Sequence, residues 1–386
     1  MSRSGFLEGS QVVVIGAGVV GATTAYRLAQ SGAKVTIVDR RLPGSGTSAA
    51  SFGWLNAFTK SPRQYHQLNA RGIREHQNLA AELNADWLHL DGSLLWTDEH
   101  DAARTEQFRG RLRQLAQWGY RIDLTKPDVV TRDLEPDLSF VGLDLTEIAV
   151  VPGEGWLDGV RMAHGLVQAA CRRYCASLVR GEVVALQESG RGISAAVLAD
   201  GTTLPLDVLV NAAGPDAAHI AGLAGVDLAL RRQPGLLATT SPVSTSLRHV
   251  VWSSHVHLRP DGGSRLLVQQ ETYDSRAAEE RDGEASRWVA SRAIADAAQV
   301  LLAARDASVE SIRLGIRPMP VDGFPIVGFE PDVAGLYELV THSGMTLCAI
   351  LARLVTEELT GSEVPELEPY RPERFKIASG ERAVAE

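Results

Sequence analysis

The chain has 386 residues, 45% of them hydrophobic and 22% charged, the balance of a folded globular protein rather than a disordered one. Its 47 acidic residues outweigh 38 basic ones, for a formal charge of −9, so a basic nucleic-acid footprint is not expected. The longest apolar run, 12–22, is punctuated by glycines and falls short of the roughly 18 residues that suggest a membrane span.

A polar arm over 1–10 opens the chain. Gln11-Val-Val-Val-Ile15 is a β-branched run and predicts a strand buried on both faces. Gly16-Ala-Gly18-Val-Val-Gly21 follows at once, then helix formers over 22–31, with Gly32 as a helix stop. Residues 34–38 predict a second buried strand, ending at Asp39. Tyr65, Leu68, Gly72, His76, Leu79 and Leu83 form one stripe and predict a helix over 63–83. Residues 87–96 read as strand material around Asp91-Gly92, 99–118 as a charged helix and 129–136 as loop. A helix is predicted over 159–176. A hairpin is predicted from 183–186 and 193–198 around Gly190-Arg-Gly192. A third buried strand, 206–210, runs into Asn211-Ala-Ala-Gly214. Strand-like alternation marks 236–240, 249–253, 255–258 and 266–270. A helix over 277–305 and a strand over 308–316 come next. Residues 337–341 predict the last core strand, and Ser343-Gly344 opens an amphipathic helix. Cys171, Cys175 and Cys348, an odd and sparse set, read as reduced thiols. No secretory leader pattern is present, so the expected setting is the cytoplasm.

Buried parallel-type strands at both ends and in the middle, with alternating strands and surface helices between, predict an α/β protein of two interleaved domains. Within the first strand–turn–helix–strand unit, Gly16, Gly18 and Gly21 have the spacing of a dinucleotide fingerprint. Gly16 permits the tight turn, Gly18 lets backbone approach a pyrophosphate, and Gly21 lets the helix pack on the strand. The helix start at Val19 and Val20 offers free N–H groups to phosphates. Asp39 ends the second strand, where an acid accepts from a ribose hydroxyl. This fingerprint alone fits NAD and FAD equally.

Several ordered motifs separate the two. Pro43-Gly-Ser-Gly46-Thr47-Ser48-Ala-Ala-Ser is a small-residue loop, and Glu182-Val183 and the run to Ala213-Gly214 follow. Then come Gly315-Ile-Arg317-Pro318, Asp322-Gly-x-Pro325-x-x-Gly328 and Thr341-His342-Ser-Gly344-Met345-Thr346. In this order, over roughly 12–360, they resemble the D-amino-acid oxidase / glycine oxidase / sarcosine oxidase family of FAD-dependent enzymes. Gly155-Trp-Leu-Asp158 resembles a further family segment, with Gly159 where proline is usual.

The resemblance implies a Rossmann-like FAD-binding domain from 1–85, 148–230 and 310–376. It implies a mixed or antiparallel-sheet substrate domain from 86–147 and 231–309, and a flexible tail over 377–386. FAD would meet Gly16, Gly18, Val19, Val20, Gly21, Asp39, Arg40, Gly46, Thr47, Ser48, Val183, Ala213, Gly214, Gly344, Met345 and Thr346. The cysteine that binds flavin covalently in some relatives aligns with Gly315, and 45–53 contains no histidine, so FAD is expected to be non-covalent.

Arg317 matches the family arginine that grips a substrate carboxylate, a task its planar fork suits. Trp54, His257 and His342 are the other catalytic-site candidates, with Trp252 and Tyr273 as further pocket residues. His255 and His257 share a predicted strand face, but no third ligand has suitable spacing, so no metal is expected.

The implied reaction is oxidation of the C–N bond of an amine or amino acid, its hydride passing to flavin N5 to leave an imine. The partners are the small-molecule substrate and O2 or another electron acceptor, and a homodimer is compatible with the reading. Alternatives are an FAD-dependent 2-hydroxy acid dehydrogenase, in which Arg317 would serve equally, and a non-catalytic flavoprotein. A flavin hydroxylase usually shows a Gly-Asp pair before the last helix, absent here.

Overall fold

The computed structural model describes residues 8–98, 100–190, 192–274 and 283–376. The first seven residues of the polar arm, the tail at 377–386, Glu99, Arg191 and residues 275–282 lie outside the described residues.

The strand Gln11–Ile15 lies inside a six-stranded sheet. It pairs in parallel with Lys34–Asp39 on one side and Val208–Asn211 on the other. Ser177–Arg180 extends the sheet beyond Lys34–Asp39, and Leu336–Val340 and then antiparallel Ile326–Phe329 extend it beyond Val208–Asn211. Successive side chains of a strand point to opposite faces, and Gln11–Ile15 uses both. Val12 and Val14 pack into a core with the helices Val19–Gln30, Arg63–Leu83, Gly159–Tyr174 and Gly344–Leu359. Val13 and Ile15 pack under a three-stranded antiparallel sheet, Val183–Ser189, Gly192–Leu198 and Thr203–Pro205. That double burial is why the run is continuously apolar rather than alternating.

A second sheet has eight strands, in the order Val309–Pro320, Leu230–Thr240, Leu266–Gln269, His257–Pro260, Val250–Ser253, Ser93–Trp96, Ile148–Val151 and Asp123–Thr125. Its pairings are antiparallel except Val250–Ser253 on Ser93–Trp96. The helix Glu284–Val300 covers it. Trp54–Leu55, Gly155–Leu157 and Leu88–His89 form a small sheet of their own. Among the described residues, no helix is long and apolar enough to cross a membrane.

Several expectations need correction. The strand expected over 308–316 continues through Pro320, with Arg317 paired to Gln233. It is the edge strand of its sheet, where a missing proline N–H costs no ladder bond. Residues 254–256 form the turn between Val250–Ser253 and His257–Pro260, so His255 and His257 do not share a strand face. The loop expected over 129–136 contains a π-helical turn, Val130–Leu134, continuing a helical turn at Pro127–Val129. Ile148–Val151 and Val309–Pro320 hydrogen-bond within the eight-stranded sheet.

Candidate active site

The Gly16 turn forms the floor of a cleft at the carboxyl end of the central parallel strands. Gly16 has φ +104°, and a Cβ there would lie 2.3 Å from the Ala212 carbonyl oxygen. Only glycine fits this crossing of backbones. A Cβ on Gly21 would lie 1.9 Å from the Gly16 oxygen, so Gly21 acts by letting the helix close onto the turn and does not itself line the cleft. The helices Val19–Gln30 and Gly344–Leu359 both start at the cleft without a side-chain cap. Their positive ends suit a diphosphate.

The rest of the cleft follows from a few hydrogen bonds. Ser48 Oγ accepts from the Val19 N–H at 3.1 Å, tying the small-residue loop to the helix start. Thr47 Oγ1 donates to the Ile316 carbonyl at 2.7 Å, tying the same loop to the long edge strand. The Asp39 carboxylate accepts from the Ala17 and Arg41 N–H groups, each at 2.8 Å, which fixes it at the strand end with lone pairs to spare. Arg40 pairs with Asp216 and stands 3.7 Å from Glu182. Gly46, Val183, Ala213, Gly214, Gly344 and Met345 complete the lining together with Gly18 and Val20. The glycine floor and helix ends supply donors and the strand-end acid supplies an acceptor, the combination that suits an adenine dinucleotide. Thr346 lines not this cleft but its neighbour. There its hydroxyl accepts from the Asn56 N–H and donates to the Trp54 carbonyl.

That neighbour is a second cavity, which shares Thr47, Ser51, Pro318, His342 and Met345 with the first. Arg317, Trp54, His257 and His342, far apart in sequence, all line it. Trp54 donates from Nε1 to Ser93 Oγ at 2.9 Å. Its ring stacks on Trp252, which stacks in turn on His257. Burial pushes His257 down to about 3. His342 falls to about 4, through burial and then the positive charges of Lys60 and Arg317. Both imidazoles are therefore neutral near pH 7, able to hydrogen-bond but adding no charge.

The guanidinium of Arg317 is largely committed. Its Nη2 donates to Asp274 at 2.7 Å and to the Pro234 carbonyl at 2.8 Å. Its Nε is buried without a partner. Burial raises Asp274, while the Leu236 N–H and Arg317 pull it back.

Sequence reasoning missed Lys60, Asn56, Gln269, Glu271 and the ion-pair partner Asp274. No local pattern marks them, because their roles follow from how the loop after Trp54 and the strand ends meet. Tyr273 is no pocket residue. Its hydroxyl donates to Asp296 at 3.1 Å and its ring packs edge-on against Trp288. His255 lies 3.3 Å from Asp98 and does not line either cavity. Among the described residues, no group of three or more His, Cys, Asp or Glu could hold a metal ion.

Comparison with known proteins supplies the chemistry. The model of the FAD dependent oxidoreductase family, DAO, matches residues 11–358. The chain is 26% identical over 383 residues to the uncharacterized oxidoreductase YurR of Bacillus subtilis (strain 168), covering 93% of this chain and 98% of the relative. It is 25% identical over 378 residues to glycine oxidase of Geobacillus kaustophilus (strain HTA426), covering 93% and 95%. The crystal structure of the glycine oxidase from Geobacillus kaustophilus matches with a TM-score of 0.80, over 94% of this chain and 98% of that one, at 23% identity. That of iminodiacetate oxidase from Chelativorans sp. BNC1 gives 0.79 over 94% and 98%, at 25% identity.

Proposed function

The chain belongs to the DAO family of FAD-dependent oxidoreductases, and we propose that it oxidises the C–N bond of a small amino acid or amine held in the second cavity. The observation that carries this reading is the shared wall. Thr47, Ser51, Pro318, His342 and Met345 face both the cleft built for a dinucleotide and the cavity that contains Arg317. Glycine oxidase and iminodiacetate oxidase are named for substrates that join an amine to a carboxylate, which fits a cavity with an arginine in its wall.

In this reading the six-stranded sheet and its helices form the cofactor part, and the eight-stranded sheet closes over the substrate. Gly16, Gly18 and the helix start would hold the diphosphate, with Val20 offering its N–H and Val19, whose N–H donates to Ser48 Oγ, lining the cleft beside it. Asp39 would accept from the ribose, and the Val183 backbone would border the adenine. Bound FAD supplies the acceptor for an electron pair, taken with the substrate's α-hydrogen as a hydride. FAD is held without a covalent link in this proposal, and Gly315 supports that. A Cβ there would lie 2.7 Å from the Ala50 carbonyl oxygen, so no cysteine side chain fits.

The chain's own residues do the positioning. The Nη1 of Arg317 is the part of its fork not held by Asp274 or Pro234, and it would take the substrate carboxylate. The neutral imidazoles of His257 and His342 would meet the amine without opposing its deprotonated form. The stack of Trp54, Trp252 and His257 excludes water from one wall. Water entering after oxidation would hydrolyse the imine.

The test is an anaerobic visible spectrum before and after D- and L-amino acids, N-alkyl amino acids and 2-hydroxy acids. Bleaching of the flavin band by the amines supports C–N oxidation. Bleaching by 2-hydroxy acids alone replaces it with oxidation of a C–OH bond. Readmitting air then reads whether oxygen is the acceptor.

A further inference from the structure

The second cavity contains a cation that the reaction described so far does not use. Lys60 lines it, at the end of the loop that follows Trp54–Leu55. Its backbone is fixed at both ends. The N–H donates to the Ala57 carbonyl at 3.2 Å, and the carbonyl accepts from Arg111 Nη2 at 2.6 Å. Its ammonium has no hydrogen bond or ion pair among the described residues, and the side chain is half-buried.

The acids within electrostatic reach do not neutralise it. Glu154 already accepts from the Ala57 and Phe58 N–H groups and the Tyr120 hydroxyl, all on one oxygen. Glu271 is exposed and stands 3.9 Å from Arg317 Nη1. Burial within the cavity pushes this ammonium down to about 8 despite Glu154 and Glu271; such a cost to an unpartnered charge makes a group that arrives later the natural partner. Arg317, by contrast, already has Asp274 against it. The cavity therefore presents two cations of different standing, one balanced and one not. His342, on the wall shared with the cofactor cleft, is within electrostatic reach of both.

Resting on the reading above, we propose that Lys60 binds a second carboxylate, and that the substrate is an amino acid with a carboxylate on each side of its nitrogen. One carboxylate goes to Arg317 and the other to Lys60, which leaves the amine beside His342 at the shared wall. An amino acid with one carboxylate would leave Lys60 unpaired.

The experiment separates binding from turnover. Thiodiacetate keeps both carboxylates but has a sulfur where the amine would be, and methylthioacetate keeps one. Both are titrated calorimetrically into the FAD-loaded wild type, Lys60→Met and Lys60→Arg. The wild type should bind thiodiacetate about tenfold or more tightly than methylthioacetate. Lys60→Met should erase that preference and Lys60→Arg should restore part of it, with flavin content unchanged and the Tm of Lys60→Met no lower than that of the wild type. In turnover, the kcat/KM ratio of iminodiacetate to N-methylglycine should fall about tenfold or more in Lys60→Met. Equal wild-type affinity for the two thioethers would overturn the proposal. So would a Lys60→Met defect that weakens both thioethers equally, or one that shifts only the pH profile of kcat for both amines, the mark of a base. A Lys60-dependent thiodiacetate preference with no amine able to bleach the flavin would uphold this site and sink the proposed reaction. Bleaching by amines without that preference would do the reverse.

Discussion

Two residues show how local geometry fixes the chemistry available. A Cβ on Gly18 already sits 3.1 Å from Ser48 Oγ, so the branches of a valine would enter the space above the helix start. Gly18→Val should purify colourless, with the absorbance ratio of flavin to protein as the readout, and a fully yellow variant would refute the placement of the cofactor. Arg317 is a different kind of case, because it pairs with Asp274 in the fold and, in the proposed reaction, also holds the substrate. Arg317→Met should raise KM for carboxylate substrates by about tenfold or more. It should also cost about 1–3 kcal/mol of stability, because Asp274 is left buried without its cation. Adding Asp274→Asn keeps an acceptor for the Leu236 N–H and removes the orphaned charge. The double variant should regain Tm but not KM, and recovery of both would mean that Arg317 never touched the substrate.

At the scale of elements, the loop between Trp54–Leu55 and Arg63–Leu83 has its N–H groups gathered by a buried carboxyl and its carbonyls by Arg111. Glu154 Oε1 gathers the Ala57 and Phe58 N–H groups and the Tyr120 hydroxyl, while Oε2 is buried without a partner. Burial raises this carboxyl against the pull of its donors, which favours the protonated form. Glu154→Gln resembles that form and should change stability by less than about 1 kcal/mol. Glu154→Ala strands three donors and should cost about 2–4 kcal/mol; urea unfolding of the two variants reads the difference. The same loop shows what the sequence could and could not reveal. The helix Arg63–Leu83 was legible because an apolar stripe kept up over 21 residues, about six turns, cannot arise by accident in a strand. The Gly16 turn was legible because glycine is demanded there by steric contact. Lys60 was not legible, since its sharing a cavity with Arg317 depends on how a loop packs against a strand more than 250 positions away. Short strands such as Ser177–Arg180 and Asp123–Thr125 were missed because three or four residues carry too little periodicity. The prolines at 318 and 320 hid the end of Val309–Pro320, because an edge position cannot be recognised from one strand alone.

Over the whole molecule, stability against pH is set by two opposed populations of buried groups. His76 and His342 are pushed down to about 4 and His257 to about 3, with burial the first cause in each. A depressed histidine contributes stability above its unfolded value of 6.5, and that stability is lost as pH falls toward the folded value. Glu154, Asp274, Asp296, Glu330 and Glu338 are raised, again chiefly by burial. A raised carboxyl contributes stability below its unfolded value, and that is lost as pH rises through the folded value. Between the unfolded carboxyl values and the unfolded histidine value the two sets have slopes of opposite sign, so each conceals part of the other in the overall curve. Single variants should expose the slopes it conceals. His257→Phe keeps an aromatic ring between Trp252 and Phe52, and its Tm relative to wild type should climb as pH falls from 6.5 toward 3. Glu338→Gln keeps an acceptor for the Asn211 amide, and its Tm relative to wild type should climb as pH rises above 4.5. Tm differences that run parallel in the two variants, or that do not change with pH, would show that these groups titrate alike in the folded and unfolded chain. Opposite slopes would show that one common cause, burial, works against the charged forms of both the histidines and the carboxyls.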